Sequence, residues 1–141
     1  MLRNGFFLLI NFFFFSLSIH AQTAIHIENG KVYQNGKVLF YCSSESTSGS
    51  SVHRIKNMSG AEEMVVSLQS TDDPNGMQFL HTEFPLLGIF YEVKVQPTSI
   101  TAILQDMVNQ KVFEYGKLVK EQLFPYLTTK KYIPRKLQPK S

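Results

Sequence analysis

Short stretches of alternating apolar and polar residues fill most of this chain, and they give way to helical spacing towards its C-terminal third. The clearest alternation runs from Ile89 to Val95, where Ile89, Tyr91, Val93 and Val95 interleave with Phe90, Glu92, Lys94 and Gln96. A period of two lets a strand turn one face to a core and the other to water, so this segment is expected to be a central strand. Pro97-Thr98-Ser99 ends it and opens a segment in which Ile100, Ile103, Leu104, Met107 and Val108 recur at helical spacing, with a Thr98 or Ser99 hydroxyl available as the cap. The two apolar stripes lie on neighbouring elements and are expected to pack on each other.

Upstream, Ile25 and Ile27 alternate with His26 and Glu28, and the pairs Asn29-Gly30 and Asn35-Gly36 each supply two residues that tolerate positive φ. Successive hairpins are expected, with strands near Ala24 to Glu28, Lys31 to Gln34 and Lys37 to Cys42. Ser43 to Ser51 is almost entirely Ser, Thr and Gly around Glu45 and reads as a mobile connection that supplies nothing to a core. Val52 to Asn57 and Glu63 to Gln69 read as a hairpin around Met58-Ser59-Gly60-Ala61, followed by the turn Ser70 to Gly76. Pro85 and Gly88 divide the next apolar run into strands Met77 to Phe84 and Ile89 to Val95. A second amphipathic stretch, Tyr115 to Phe124, is expected to be a helix that stops at Pro125. The fold class is therefore α+β: an antiparallel meander of about six or seven strands with one or two C-terminal helices on one face.

The N-terminus changes the cellular setting of that domain. Arg3, the run Phe6 to Phe15 broken only by Asn11, and the segment Ser16 to Ala21 have the three parts of a secretory signal. Even with Leu17 and Ile19 the apolar run covers about 14 positions, short of the roughly 20 that span a bilayer. Residues 1–21 are thus expected to be a cleaved signal peptide, 22–127 a single α+β domain and 128–141 a basic, Pro-containing extension. The alternative is an uncleaved membrane anchor. No Cys ends the apolar run, which disfavours a lipoprotein, and no other segment of the chain reads as transmembrane.

Charge is divided unevenly. Gln22 to Leu127 holds eight basic and eleven acidic residues, whereas Thr128 to Ser141 holds Lys130, Lys131, Arg135, Lys136 and Lys140 with no acid. These five cations are the candidate contact for an anionic surface such as lipid headgroups or polysaccharide; spaced by prolines, they also suit a solvated terminus, and nucleic acid is not favoured as a partner.

Candidate chemistry is sparse. Cys42 is the sole cysteine, which removes any intramolecular disulfide, and its place after Val38 and Phe40 suits a small buried residue better than a reactive thiol. His26, His53 and His81 fall on different expected strands, without the short spacing of metal ligands. Glu62-Glu63 and Asp72-Asp73 are adjacent, so in a strand the carboxylates of each pair would diverge. No phosphate-binding glycine loop or dinucleotide motif is present, and no cofactor or metal is expected. Asn57-Met58-Ser59 has the form of a glycosylation acceptor.

The signal ending His20-Ala21-Gln22, the Asn-Gly-Lys hairpins, and the phrase Arg54-Ile55-Lys56-Asn57-Met58-Ser59-Gly60 leading into Met64 to Leu68 resemble small uncharacterised exported proteins of Bacteroidetes. That resemblance implies an antiparallel sheet followed by helices and carries no site residues. The expected function is an exported, secreted or periplasmic, non-catalytic domain that binds a protein or an envelope component. The alternatives are a small envelope enzyme with a site converging on His or Cys, or an assembly subunit.

Overall fold

A computed structural model describes residues 24–139; the signal-peptide expectation for residues 1–21 and the cation Lys140 lie outside the described residues. The strands are β1 (Ile25–Glu28), β2 (Lys31–Gln34), β3 (Lys37–Thr47), β4 (Ser50–Lys56), β5 (Glu62–Ser70), β6 (Gln78–Phe84) and β7 (Ile89–Val95). A helix α1 (Ile100–Asn109), a small hairpin of β8 (Phe113–Glu114) and β9 (Lys117–Leu118), a helix α2 (Lys120–Lys130) and a last strand β10 (Arg135–Lys136) follow. The first seven strands form an antiparallel meander in sequence order, and β10 pairs with β7 to make an eight-stranded sheet. The protein is α+β, as its patterning predicts.

The hairpin chemistry works as its residues dictate. Asn29 and Gly30 take φ of 51° and 73°, and Asn35 and Gly36 take 54° and 74°, the paired positive values of a turn whose twist matches the flanking strands. Between β2 and β3, Val32 pairs with Phe40 and Tyr33 with Val38, leaving Leu39 as the extra residue of a bulge. Against the Leu39 carbonyl lies Gly116, in the turn of the β8–β9 hairpin at φ 74°; a Cβ there would run into that carbonyl, so the position admits only glycine. Phe113 from the same hairpin meets Phe40 edge to face at 4.8 Å.

One core joins the sheet to both helices. Tyr91 on β7 is buried at 1% exposure, Ile89, Val93 and Val95 pack against the same core, and on α1 Ile100, Leu104 and Met107 are buried. The cap is Ser99, whose side chain accepts from the Ala102 amide. Seven flat strands at about 4.8 Å spacing would hold β1 and β7 about 29 Å apart. A ten-residue helix such as α1 is only about 15 Å long. Yet the Ile25 amide of β1 donates to Gln105 Oε1 at 2.7 Å, while Ile103 and Asp106 of the same helix face Tyr91 and Val95 of β7. The sheet is therefore curled around α1.

Two segments depart from the sequence expectation. Ser43 to Ser51 is not a mobile connection: Ser43 to Thr47 extends β3, Ser50 and Ser51 begin β4, and the pairs Ser44 with His53, Glu45 with Val52 and Thr47 with Ser50 close a long hairpin. Pairing is decided by the backbone ladder, which hydroxyl side chains do not disturb on a wet face. Likewise the second helix is not Tyr115 to Phe124: Tyr115 and Gly116, both at positive φ, turn the β8–β9 hairpin and Lys117 and Leu118 form β9, so α2 starts only at Lys120, and Pro125 does not stop it. The proline forfeits one backbone bond, but Leu123 and Leu127, four residues apart, are buried on either side of it, and α2 continues to Lys130.

Candidate functional site

Where β7, α1 and α2 converge, the curled sheet and the helices leave a cleft of about 350 Å³. Each wall has a local cause. Tyr91 comes from the buried face of β7, Asp106 from the side of α1 beside Ile103, and Tyr126 and Lys130 from α2, where a spacing of four puts them on one face. Lys131 at φ 62° ends α2 in a left-handed turn and delivers Tyr132, which stacks on Tyr91 with ring centroids 4.7 Å apart.

The polar groups are mutually fixed. Tyr126 donates its phenol hydrogen to Asp106 Oδ2 at 2.8 Å, and Lys130 Nζ lies 2.9 Å from the same oxygen. The ammonium also sits 5.6 Å from the centroid of the Tyr126 ring. Burial pushes the Tyr126 phenol well above its ordinary value, and its bond to the Asp106 carboxylate raises it further. Burial likewise pushes Tyr91 up to about 12. On the far side of Tyr126 and Lys130 a second hollow of about 380 Å³ is bounded by Gln110, Gln122 and Thr129, so these two side chains form a partition.

Because Tyr91 is neutral in the fold and ionises near pH 10 when unfolded, its contribution to stability is complete below pH 10 and is lost as pH rises towards 12. The expected loss is about 2–3 kcal/mol over that interval. Denaturation followed at several alkaline pH values checks it, with tyrosinate absorbance of the native protein lagging that of the denatured chain.

The four described candidate cations, Lys130, Lys131, Arg135 and Lys136, do not form one surface. Lys130 is engaged with Asp106, Lys131 is exposed at the helix end, and Arg135 and Lys136 are consecutive residues of β10 that point to opposite sides of the sheet. Only a short, basic edge results, held by pairing with Phe90 and Ile89 and by the Leu137 amide donating to the Gly88 carbonyl at 2.8 Å. Lysines and prolines at a sheet edge discourage pairing with another chain.

The three described histidines separate into three environments. His26 stacks on Tyr33 at the β1 edge. His81, on the open face of the sheet, has Glu92 Oε1 2.9 Å from Nδ1 and Glu83 Oε1 3.1 Å from Nε2, within a shallow groove of about 670 Å³. His53 faces the core side: Ser44 Oγ is 2.7 Å from Nδ1 and Ser51 Oγ 3.2 Å from Nε2. Burial lowers the His53 pKa. Among the described residues, no group of three or more His, Cys, Asp or Glu could hold a metal ion.

Cys42 is 4% exposed beside Ile55, and its Sγ lies 3.8 Å from Ser44 Oγ. Burial pushes the thiol up, and the Ser44 contact offsets part of that. Cys42→Ser should cost about 1–3 kcal/mol, the range for burying a hydroxyl in place of an apolar group. Denaturant titration reads the loss, and rapid labelling of the native thiol would contradict the burial.

Sequence patterning identifies β7 and α1 but neither the cleft nor its third wall, since Tyr126 and Lys130 lie beyond Pro125, where the second helix is expected to stop. The spacing of Tyr126 and Lys130 was a usable signal, masked by Pro125 between the expected helix and the tail. No family model, curated protein or solved structure matches the chain.

Proposed function

We propose that the chain is an exported, non-catalytic binding domain acting in the periplasm or outside the cell, and that the cleft between β7, α1 and α2 receives its ligand. One observation carries the binding reading: a concave site with aromatic and aliphatic walls and a few convergent polar groups. Export rests on Arg3, the apolar run and Ala21. The intact mass of the exported protein should begin at Gln22; a mass retaining residues 1–21 in the membrane fraction would make it an anchored domain.

Binding has a convenient reporter. The chain has six tyrosines and no tryptophan, and Tyr91, Tyr126 and Tyr132 line the cleft. Fractions of small molecules from envelope extract should change tyrosine emission of the mature protein, and Ile103→Arg, which fills the cleft, should abolish the change. A response equal in both proteins would remove the cleft from consideration.

A hydrolase is the rival reading, carried by the exposed Ser44 with its hydroxyl 2.7 Å from His53 Nδ1. Nucleophile and base stand in this relation in covalent catalysis. Here, however, no carboxylate orients the ring; Ser51 does. Covalent labelling of Ser44 by a fluorophosphonate, lost in His53→Ala, would put the enzyme reading first.

A further inference from the structure

Lys130 does not stand in the cleft as a free cation awaiting an anion. Its ammonium is 2.9 Å from Asp106 Oδ2 and 5.6 Å from the Tyr126 ring centroid, so a carboxylate and an aromatic face already surround a positive charge. Tyr126 donates to that same carboxylate oxygen, which orients it. Both partners are partly open to solvent, Lys130 at 39% and Asp106 at 36% side-chain exposure, and a long, flexible lysine can leave such a position. The body of the cleft next to this charged corner is lined by Leu80, Tyr91, Val95 and Ile103.

We propose that this corner is an ammonium site, that Lys130 is its internal occupant, and that the cleft takes an amphipathic primary amine whose ammonium displaces Lys130 while its alkyl or aryl body lies on Tyr91, Val95 and Ile103. The chemistry is that of a carboxylate with an aromatic face, each of which attracts a cation and repels an anion. Displacement is degenerate in kind, since one primary ammonium replaces another on Asp106 Oδ2. Lys130 swings aside, towards solvent or the second hollow beyond the partition that it forms with Tyr126. The site is then self-capped when empty and open when filled. This inference rests on the cleft being the binding site.

A matched set of probes tests both levels: hexylammonium, hexanol and hexanoate, which share one alkyl body, titrated against the mature protein and read by tyrosine emission and by chemical-shift changes at Tyr91 and Tyr126. Hexylammonium should bind at least tenfold more tightly than either other probe. Lys130→Met keeps the aliphatic stem and removes the competing cation, so it should tighten hexylammonium by a further tenfold or more and widen its preference over hexanol and hexanoate. Asp106→Asn should erase the preference for the amine. Equal binding of all three probes would overturn the amine assignment and leave the cleft as a binding site. Stronger binding of hexanoate, lost in Lys130→Met, would also overturn it, by making Lys130 an anion receptor. No response to any probe would remove both readings. Circular dichroism of each variant separates a change of affinity from a change of fold.

Discussion

Leu104→Ala is expected to destabilise the domain by about 2–5 kcal/mol, the range for deleting most of a large apolar side chain from a packed core. Leu104 is fully buried, on the face of α1 that also carries Ile100 and Met107, and the sheet curls around that helix. The smaller side chain therefore leaves a cavity between α1 and the core, which the surrounding packing closes only in part. For a domain of this size the loss corresponds to a drop in Tm of about 10 °C or more. Leu86→Ala is the control: Leu86 is 61% exposed in the turn between β6 and β7, and its truncation should stay within about 0.5 kcal/mol. If Leu104→Ala unfolded no more easily than Leu86→Ala, α1 would not be a core element and the cleft built on it would lose its wall.

The parts of this fold that could be read from sequence are those fixed by neighbouring residues. Asn29-Gly30 and Asn35-Gly36 tolerate positive φ at both residues, and both pairs stand in turns that use it. The alternation of β7 and the helical spacing of α1 each follow from one element meeting one apolar surface. Where structure is decided by a distant partner, the pattern failed. Ser43 to Thr47 has no alternation of its own, and becomes strand because β4 offers it a ladder from Ser50 to Lys56. Four residues between Pro134 and Pro139 cannot announce a strand, and the two-residue β10 exists because Gly88 and the edge of β7 present backbone groups to it. The cleft is the extreme case. Tyr91, Asp106 and Tyr126 come from three elements, so only the curl of the sheet brings them together.

The Ser44 and His53 contact has the same origin. Nine positions apart, they become opposite partners through the register of β3 and β4, and the hydroxyl-rich run that was expected to be a linker supplies both of the His53 partners. His53 is thereby a satisfied histidine on the core side. Such a network gives the hairpin a reason to hold its register even though its outer residues are polar, because a slip of one residue would turn His53 out and leave Ser44 facing the wrong way.

Asn57→Ala is expected to cost about 3–5 kcal/mol, more than any surface turn should. Asn57 is 5% exposed and spends its whole amide on the β4–β5 connection: Oδ1 accepts from the amides of Ser59 and Ala61 and from the Ser59 hydroxyl, while Nδ2 donates to Glu63 Oε1 at 2.8 Å. Glu63 is itself only 4% exposed. It is there because Ile55 pairs with Met64 and Lys56 with Glu62, leaving Glu63 as the extra residue of a bulge. Truncation to alanine strands that carboxylate without its donor and frees three turn donors at once, one charge-assisted bond alone being worth about 1.5–3 kcal/mol. The same geometry argues against a glycan at the Asn57-Met58-Ser59 triplet, since the nitrogen that would carry it is buried against Glu63. Asn57→Asp separates the two halves of the effect. It keeps the acceptor for the turn but replaces the donor to Glu63 with a second carboxylate, so it too should be destabilising, through Glu63 alone. Urea denaturation of both variants provides the measurement. An Asn57→Asp variant as stable as the parent would mean that Glu63 does not depend on the Asn57 donor.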